Sequence, residues 1–241
     1  MTSIKKTRSP ERFRLDELTA LVTGAGRGLG EACAIALSEA GADLIIMSRT
    51  ESELLTLKGR IESFGGKVKI SICDASDPDQ ISKTIPKLGR VDILVNNAGT
   101  NIPESFVDVS LPNLDTILNL NVRGAFLMAQ AVVQGMLERD HGGSIIHMSS
   151  QMGHVGAPNR TVYCASKHAI EGLTKAMGVE LAPYGIRVNS VGPTFIETPL
   201  SRPFFEDEDF AKDTLGRIPM GKLGSVEDVA DAVVYLASPA S

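Results

Sequence analysis

Several residue types that carry specialised chemistry are scarce in this sequence. Its 241 residues include no tryptophan, three cysteines and four histidines. Neither the cysteines (Cys33, Cys73 and Cys164) nor the histidines have a disulfide-framework or metal-ligand spacing, so we expect reduced thiols and no metal site. Reduced thiols are typical of a reducing compartment, and we therefore predict a cytoplasmic protein.

Excess positive charge and long apolar runs are also lacking. The chain has 24 Lys and Arg against 29 Asp and Glu, a net charge of −5. This balance argues against nucleic acid or an anionic membrane as the main partner and leaves a small molecule as the expected one. No uninterrupted apolar run approaches the ~18 residues of a membrane span. With 43% hydrophobic and 22% charged residues, the composition is typical of a globular domain.

Six short apolar runs alternate with helical patterns along the chain. The predicted strands are residues 18–23, 42–47, 68–73, 91–96, 144–148 and 186–191. The predicted helices are residues 28–40, 51–64, a segment from 77, 111–139, 162–181 and 225–237. Apolar strands that alternate with helices predict a doubly wound, Rossmann-like α/β fold, in which a parallel sheet carries helices on both faces.

The chain reads as a single domain with two less regular segments. Residues 1–16 are basic and polar without the apolar core of a secretory signal, and we interpret them as an N-terminal extension of a domain at 17–241. Residues 192–222 read as a polar, irregular insertion after the sixth strand. Most of it, about 194–222, is predicted to form a lid over the substrate.

A glycine-rich turn follows the first predicted strand and opens the first helix. It consists of Thr23, Gly24, Gly26, Arg27, Gly28, Leu29 and Gly30. Glycines let the backbone approach a pyrophosphate, and the helix N-terminus offers free N–H groups to it. The spacing differs from the common G-x-G-x-x-G, but the strand before and the helix after supply the context that a dinucleotide site needs.

The residues after the second strand bear on which dinucleotide is bound. A carboxylate there would bind the ribose hydroxyls of NAD(H), but this sequence has Ser48 and Arg49. Together with Arg27 they offer a hydroxyl and two guanidinium groups, which suit the 2′-phosphate of NADP(H). The alternative is that Arg49 is only a solvated residue at a strand end. We favour NADP(H), with NAD(H) as the alternative.

A tyrosine, a lysine and a serine form the candidate catalytic group. Lys167 lies one helical turn after Tyr163, where its charge is expected to lower the phenol pKa from its ordinary value of about 10. Such a phenol can protonate a carbonyl or accept the proton of an alcohol. Ser150 lies thirteen residues before the tyrosine and can bind the same substrate oxygen. Ser149 competes with it, but strand alternation predicts that only one of the two faces the site.

The order of these motifs resembles that of the short-chain dehydrogenase/reductase family over nearly the whole chain. The resemblance implies that Tyr163 is the catalytic acid/base and that Ser150 orients the substrate carbonyl. It also implies that Lys167 binds the nicotinamide ribose and that Asn121 holds a water in a proton relay. Asn119 is the alternative to Asn121, although the residues that follow Asn121 fit the family better.

The resemblance also implies the remaining cofactor contacts. Asp74 would bind adenine, and the other residues beside the cofactor would be Ala75, Asn97, Ala98, Gly99, Tyr163, Lys167, Pro193, Ile196 and Thr198. Two departures stand out: Thr194 replaces a family glycine, and the sequence ends at Ser241, before the family's seventh strand. Members commonly form homotetramers through their long helices, so we expect a homotetramer or a homodimer.

The predicted function is NAD(P)-dependent hydride transfer between a secondary alcohol and a ketone. Gln151, His154 and Arg160 lie between the serine and the tyrosine, near the expected substrate, and favour a sugar, a polyol or a keto acid. A 3-oxoacyl thioester reductase is one alternative. A dinucleotide-binding regulator without turnover is another.

Overall fold

The chain folds around one parallel β-sheet. A computed structural model describes residues 9–199 and 201–241. In these residues six strands pair in the order β3-β2-β1-β4-β5-β6. They are β1 (Thr19–Thr23), β2 (Asp43–Ser48), β3 (Val68–Ile72), β4 (Ile93–Asn96), β5 (Gly143–Met148) and β6 (Ile186–Val191). Because the order reverses between β1 and β4, the sheet is doubly wound and the predicted fold class is confirmed.

Helices cover both faces of the sheet. They are α1 (Gly28–Glu39), α2 (Glu51–Ser63), α3 (Pro78–Thr84), α4 (Leu111–Leu118), α5 (Ala125–Arg139), α6 (Thr161–Leu181), α7 (Glu208–Gly216) and α8 (Val226–Ala237). Alternate β1 residues point to opposite faces. Ala20 and Val22 pack with α1, α2 and α8, whereas Leu21 packs with α3 and α5. Each face therefore has its own apolar cluster, as a doubly wound sheet requires.

The predicted helix at 111–139 is continuous but not uniform. A π-helical turn, Asn119–Gly124, joins α4 to α5. The whole segment, Leu111–Arg139, has the length and composition of a membrane-crossing helix. The sequence shows no uninterrupted apolar run here, because polar residues interrupt this helix. Its buried residues pack against the sheet, and core helices of globular proteins pass the same test.

The insertion at 192–222 is more ordered than the sequence analysis expected. It contains helix α7, which begins after Asp207. The Asp207 carboxylate accepts hydrogen bonds from the backbone N–H groups of Asp209 and Phe210, both at 3.0 Å, and so caps the helix. The prediction of an irregular segment was wrong for these residues, because their polar composition has no clear helical pattern although Asp207 caps a helix. Its role as a lid stays a prediction.

The two ends of the described chain pack onto the domain. Leu15 is fully buried in the core next to α1, and its N–H donates to Ala40 O at 2.9 Å. The predicted boundary at residues 16 and 17 stays a prediction, and residues 1–8 lie outside the described part. At the other end, Ser225 and Asp228 form a capping box at the start of α8.

A single arginine joins the edge strand to the last helix. Arg187 of β6 donates hydrogen bonds to Leu236 O at 2.7 Å and to Ser238 O at 3.2 Å. These carbonyls belong to the C-terminal end of α8, where backbone acceptors lack partners within the helix and a cation is favourable. Strand β6 and helix α8 are therefore held at a fixed distance, and the insertion connects them.

Candidate active site

The predicted site residues surround one cavity at the carboxyl ends of the strands. Its volume is about 410 Å³, and it extends from the glycine turn to helix α6. Each predicted cofactor-binding residue lines it, and so do Ser150, Tyr163 and Lys167. Asn121 is the one predicted site residue that does not. The structure brings the set together, while the binding roles stay predictions.

The glycine turn has the backbone shape that a dinucleotide cradle needs. Gly24 and Gly28 have positive φ values of 62° and 60°, which other residues rarely adopt. A Cβ at Gly30 would lie 2.2 Å from the Gly24 carbonyl oxygen, so only glycine lets α1 begin this close to the turn. The open space above the turn and the N-terminus of α1 fit a pyrophosphate group.

Thr23 ties the glycine turn to the loop after β4. Its hydroxyl accepts hydrogen bonds from the N–H groups of Asn97 and Ala98, both at 3.0 Å. The Asn97 side chain in turn donates to Thr23 O at 2.9 Å. These bonds fix both loops at the point where the sheet order reverses, which is where ligands of this fold bind.

One half of the cavity is lined by Arg27, Ser48, Arg49, Glu53 and Asp74, and we call it the adenosine half. It contains two arginine–carboxylate pairs. Arg49 lies 3.5 Å from Asp74, and Arg27 lies 3.8 Å from Glu53. Burial opposes ionisation of Asp74, but hydrogen bonds from Ser76 and the charge of Arg49 hold the Asp74 pKa below its ordinary value. Both predicted phosphate ligands therefore already face a carboxylate, and the sequence analysis missed Glu53.

The other half of the cavity, which we call the catalytic half, contains Ser150, Tyr163 and Lys167. Burial raises the pKa of Tyr163, and the Ser150 hydrogen bond and the charge of Arg160 offset this only in part. The expectation of a lowered phenol pKa was wrong for the protein alone, because burial outweighs the groups that lower it. The sequence spacing predicts the proximity of the two groups but not the cost of burying them.

Lys167 is buried and directed at the backbone. Its ammonium donates to Met148 O at 2.7 Å and lies 5.6 Å from the centre of the Tyr163 ring. Burial lowers the pKa of Lys167 to about 8, although the nearby Glu171 opposes the shift. A lysine with this pKa is still mostly protonated at neutral pH.

Both serines at the end of β5 line the cavity, contrary to expectation. The strand ends at Met148, so the alternation rule no longer applies to Ser149 and Ser150. The Ser150 hydroxyl accepts from Met152 N at 3.2 Å and lies 3.5 Å from Pro193 O. It therefore caps a short turn while it contacts the tyrosine.

Asn121 lies behind the cavity, in the π-helical turn. Its side chain accepts from Thr100 N and donates to Thr100 O, both at 2.8 Å, and it also donates to Ser166 Oγ at 3.1 Å. Asn121 is buried whereas Asn119 is exposed, and the choice between them stays a prediction. Its proposed relay water stays a prediction.

Comparison with known proteins decides the family. A family model described as enoyl-(acyl carrier protein) reductase matches residues 24–241. The L-xylulose reductase of Mus musculus is 39% identical over 219 residues, which cover 91% of this chain and 88% of that protein. The chain belongs to the short-chain dehydrogenase/reductase family. Like its relatives, it is an NAD(P)-dependent oxidoreductase that acts on CH–OH groups.

Two further relatives differ in the activity that they are named for. The 3-oxoacyl-[acyl-carrier-protein] reductase of Thermotoga maritima is 38% identical and covers 95% of this chain and 94% of its own. The crystal structure of a gluconate 5-dehydrogenase from Burkholderia cenocepacia, in complex with NADP and tartrate, has a TM-score of 0.93 and 35% identity. It covers 97% of this chain and 93% of that one.

A buried polar cluster lies behind Lys167 in this short-chain dehydrogenase/reductase. Glu171 accepts from Ser190 Oγ at 3.1 Å, and His154 Nε2 lies 3.6 Å from its other carboxylate oxygen. Within the described residues, Ser149 Oγ, His147 Nε2 and Glu171 Oε1 are buried without a hydrogen-bond partner. His154 is not among the residues that line the cavity, so a role for it beside the substrate stays a prediction.

The substrate end of the cavity includes residues that the sequence did not single out. Asn101 and Phe195 line it together with Gln151 and Arg160, which were expected there. Thr194 lines it too and donates to Gln151 Oε1 at 2.7 Å. Asn101 and Phe195 belong to loops, and no local sequence pattern indicates which loop residues reach a cavity.

Proposed function

We propose that this enzyme uses NADP(H) to interconvert a ketone and a secondary alcohol on a small polyhydroxylated substrate, a sugar, a polyol or a keto acid. Tyr163 is its acid/base. The observation that carries the proposal is that Ser150, Tyr163 and buried Lys167 line the same cavity as the glycine turn.

Each residue of the candidate catalytic group has its own role. Ser150 and Tyr163 both bind the reacting oxygen, so a carbonyl placed there is polarised by two hydroxyl groups. When bound, the nicotinamide cofactor supplies or takes up the hydride. Tyr163 donates its proton to the oxygen in reduction and accepts a proton in oxidation. Lys167 stabilises the phenolate and binds the ribose, while Asn121 positions a relay water.

The cofactor choice rests on the cations of the adenosine half. Arg27 and Arg49 both line the cavity beside Ser48. A 2′-phosphate brings more negative charge than either carboxylate partner and matches the planar guanidinium bidentately. The relative from Burkholderia cenocepacia whose structure contains NADP supports the same choice.

Titration with NADPH and NADH tests this function directly. Because the chain has no tryptophan, the fluorescence of the reduced nicotinamide can be followed against little indole background. We expect tighter binding of NADPH, and reduction of L-xylulose in the assay that follows. Equal or tighter binding of NADH would overturn the cofactor assignment. Failure to bind either cofactor would overturn the proposed function.

A 3-oxoacyl thioester reductase is the second candidate, and the relative from Thermotoga maritima supports it. The two candidates differ in substrate size, because a carrier-bound acyl chain needs a docking surface as well as a cavity. Parallel assays with L-xylulose and acetoacetyl-coenzyme A distinguish them by their kcat/KM values.

Assembly as a homotetramer in the cytoplasm is also part of the proposal. Helix α6 exposes the small residues Ala165, Ala169, Gly172 and Ala176, which permit close packing against a second copy. Phe126 of α5 and Val179 of α6 are exposed apolar side chains, the latter 80% accessible. We expect light scattering to give four times the 25.6 kDa subunit mass, and the mass of one subunit would contradict it.

A further inference from the structure

The charges that line the cavity are unevenly distributed. Among the described residues the lining carboxylates are Glu53 and Asp74, and both lie in the adenosine half, opposite arginines. The lining cations of the catalytic half are Arg160 and Lys167. This half of the described cavity therefore carries positive charge and no lining carboxylate.

Arg160 is held rigidly at the substrate end. It directly precedes α6, and its carbonyl accepts from Cys164 N at 2.8 Å in the first turn of that helix. The preceding carbonyl, of Asn159, accepts from Glu104 N at 3.0 Å, which ties this turn to the loop after β4. The backbone at Arg160 is thus held by the first turn of α6 and by the loop after β4.

The surroundings of the Arg160 side chain favour an anion. Burial lowers the pKa of Arg160, and the ionisable side chains that oppose this shift are Tyr163 and Cys164. Both are uncharged when protonated. A guanidinium that has lost part of its hydration gains most from a ligand that carries the opposite charge and accepts two hydrogen bonds.

Two amides complete the pattern. Gln151 Oε1 accepts the Thr194 hydroxyl, so the Gln151 amide N–H₂ is left as a donor into the cavity. Asn101 Oδ1 is buried without a hydrogen-bond partner among the described residues and can accept a hydroxyl hydrogen. Two donors and one acceptor in the lining of one cavity suit a carboxylate next to a hydroxyl-bearing carbon.

We propose that Arg160 binds the carboxylate of an anionic hydroxy acid or oxo acid, and that it sets the specificity of the enzyme for such substrates over neutral polyols. The inference rests on the proposed function, since the reacting carbon must lie at Ser150 and Tyr163. In oxidation that carbon loses a hydride to NADP⁺ and its hydroxyl loses a proton to Tyr163. The carboxylate is unchanged and serves only to hold and orient the substrate.

Matched pairs of ligands test the proposal without a need for turnover. D-gluconate and D-glucitol differ in one terminal carboxylate, and tartrate and threitol differ in two. Calorimetric titration into the enzyme–NADPH complex should give at least one acid a Kd ten or more times lower than its neutral partner. The Arg160→Gln variant should weaken binding of that acid by about 10- to 100-fold, because charge-assisted hydrogen bonds are lost. Binding of the polyol should be unchanged.

Two further variants serve as controls. Arg160→Lys keeps the charge but not the planar fork, and we expect it to recover part of the preference. Arg60→Gln removes a cation from α2 outside the cavity lining and should change nothing. Equal affinity for acid and polyol in both pairs, or an undiminished preference in Arg160→Gln, would overturn the inference.

The cofactor titration separates the two possible failures. If NADPH binds with its expected preference and neither acid is favoured, the assignment of Arg160 is wrong and the proposed function stands. If NADPH does not bind at all, the proposed function fails, and the role of Arg160 fails with it.

Discussion

The positively charged side chains in the two halves of the cavity differ in exposure and in their partners. In the adenosine half, Arg27 and Arg49 are 73% and 69% exposed and each faces a carboxylate. In the catalytic half, Lys167 is 6% exposed and donates to a backbone carbonyl. Exposed pairs are screened by water and salt, whereas a buried charge acts strongly on its neighbours. The first arrangement suits a ligand that must be released, and the second suits chemistry.

Replacement of Tyr163 by phenylalanine should have the largest effect, because it removes the acid/base from the buried half. We expect turnover to fall by roughly 10²- to 10⁴-fold, the usual contribution of general acid–base catalysis. NADPH binding should remain within about threefold, since the exposed half is intact. Steady-state kinetics and fluorescence titration check both values, and undiminished turnover would revive the non-catalytic alternative.

The buried Lys167 ammonium should change the free energy of unfolding at alkaline pH. The pKa of Lys167 is about 8 in the folded protein and about 10.5 in the unfolded chain. Between these values the unfolded state binds more protons, so the lysine's contribution to folding becomes more favourable as pH rises. The change amounts to about 3 kcal/mol over this window.

Lys167→Met, which lacks this group, provides the comparison. The difference in unfolding free energy between wild type and variant, from urea titrations at pH 7.5, 9 and 10, should shift in favour of the wild type with increasing pH. A constant difference would mean that the lysine is not buried as a charge.

Arg49→Gln probes the exposed half. Loss of one guanidinium should weaken NADPH binding by about tenfold at low salt, since one charge-assisted contact is lost. NADH binding should stay within about twofold. Because the site is exposed, the difference should shrink in 0.5 M salt. Arg60→Gln, outside the cavity, is the matched control, and equal weakening of both cofactors would contradict the assignment.

The smallest effect is expected from Glu171→Gln. Glu171 opposes the lowering of the Lys167 pKa, so its neutralisation should lower that pKa further. The ammonium then loses its proton at a lower pH, and activity at pH 8 should fall by roughly twofold to fivefold. The alkaline limb of the kcat/KM profile would move to lower pH. An unchanged profile would show that Glu171 serves only the packing of β6 through Ser190.

Local patterns predicted the framework well and the environment of the site poorly. The glycine turn lies between β1 and α1 as expected, because the alternation of strands and helices and the placement of glycine are local properties. Glu53 was missed because it reaches the turn only through the packing of α2. The prediction for the Tyr163 pKa was wrong because burial is a property of the whole fold. Helix α7 was missed because the polar composition of the insertion was interpreted as irregular structure, although Asp207 caps a helix there.

The bonds of Arg187 have a consequence for local unfolding. They join the start of β6 to the end of α8, away from the insertion, whose own ends are held together by backbone hydrogen bonds of Gly224 with Phe195 and Glu197. A loop with fixed ends can open without paying again for loop closure, so its motions need not disturb the sheet. Amide hydrogens of β6 and α8 should therefore exchange together and slowly, as one cooperative unit, while those of the insertion exchange faster.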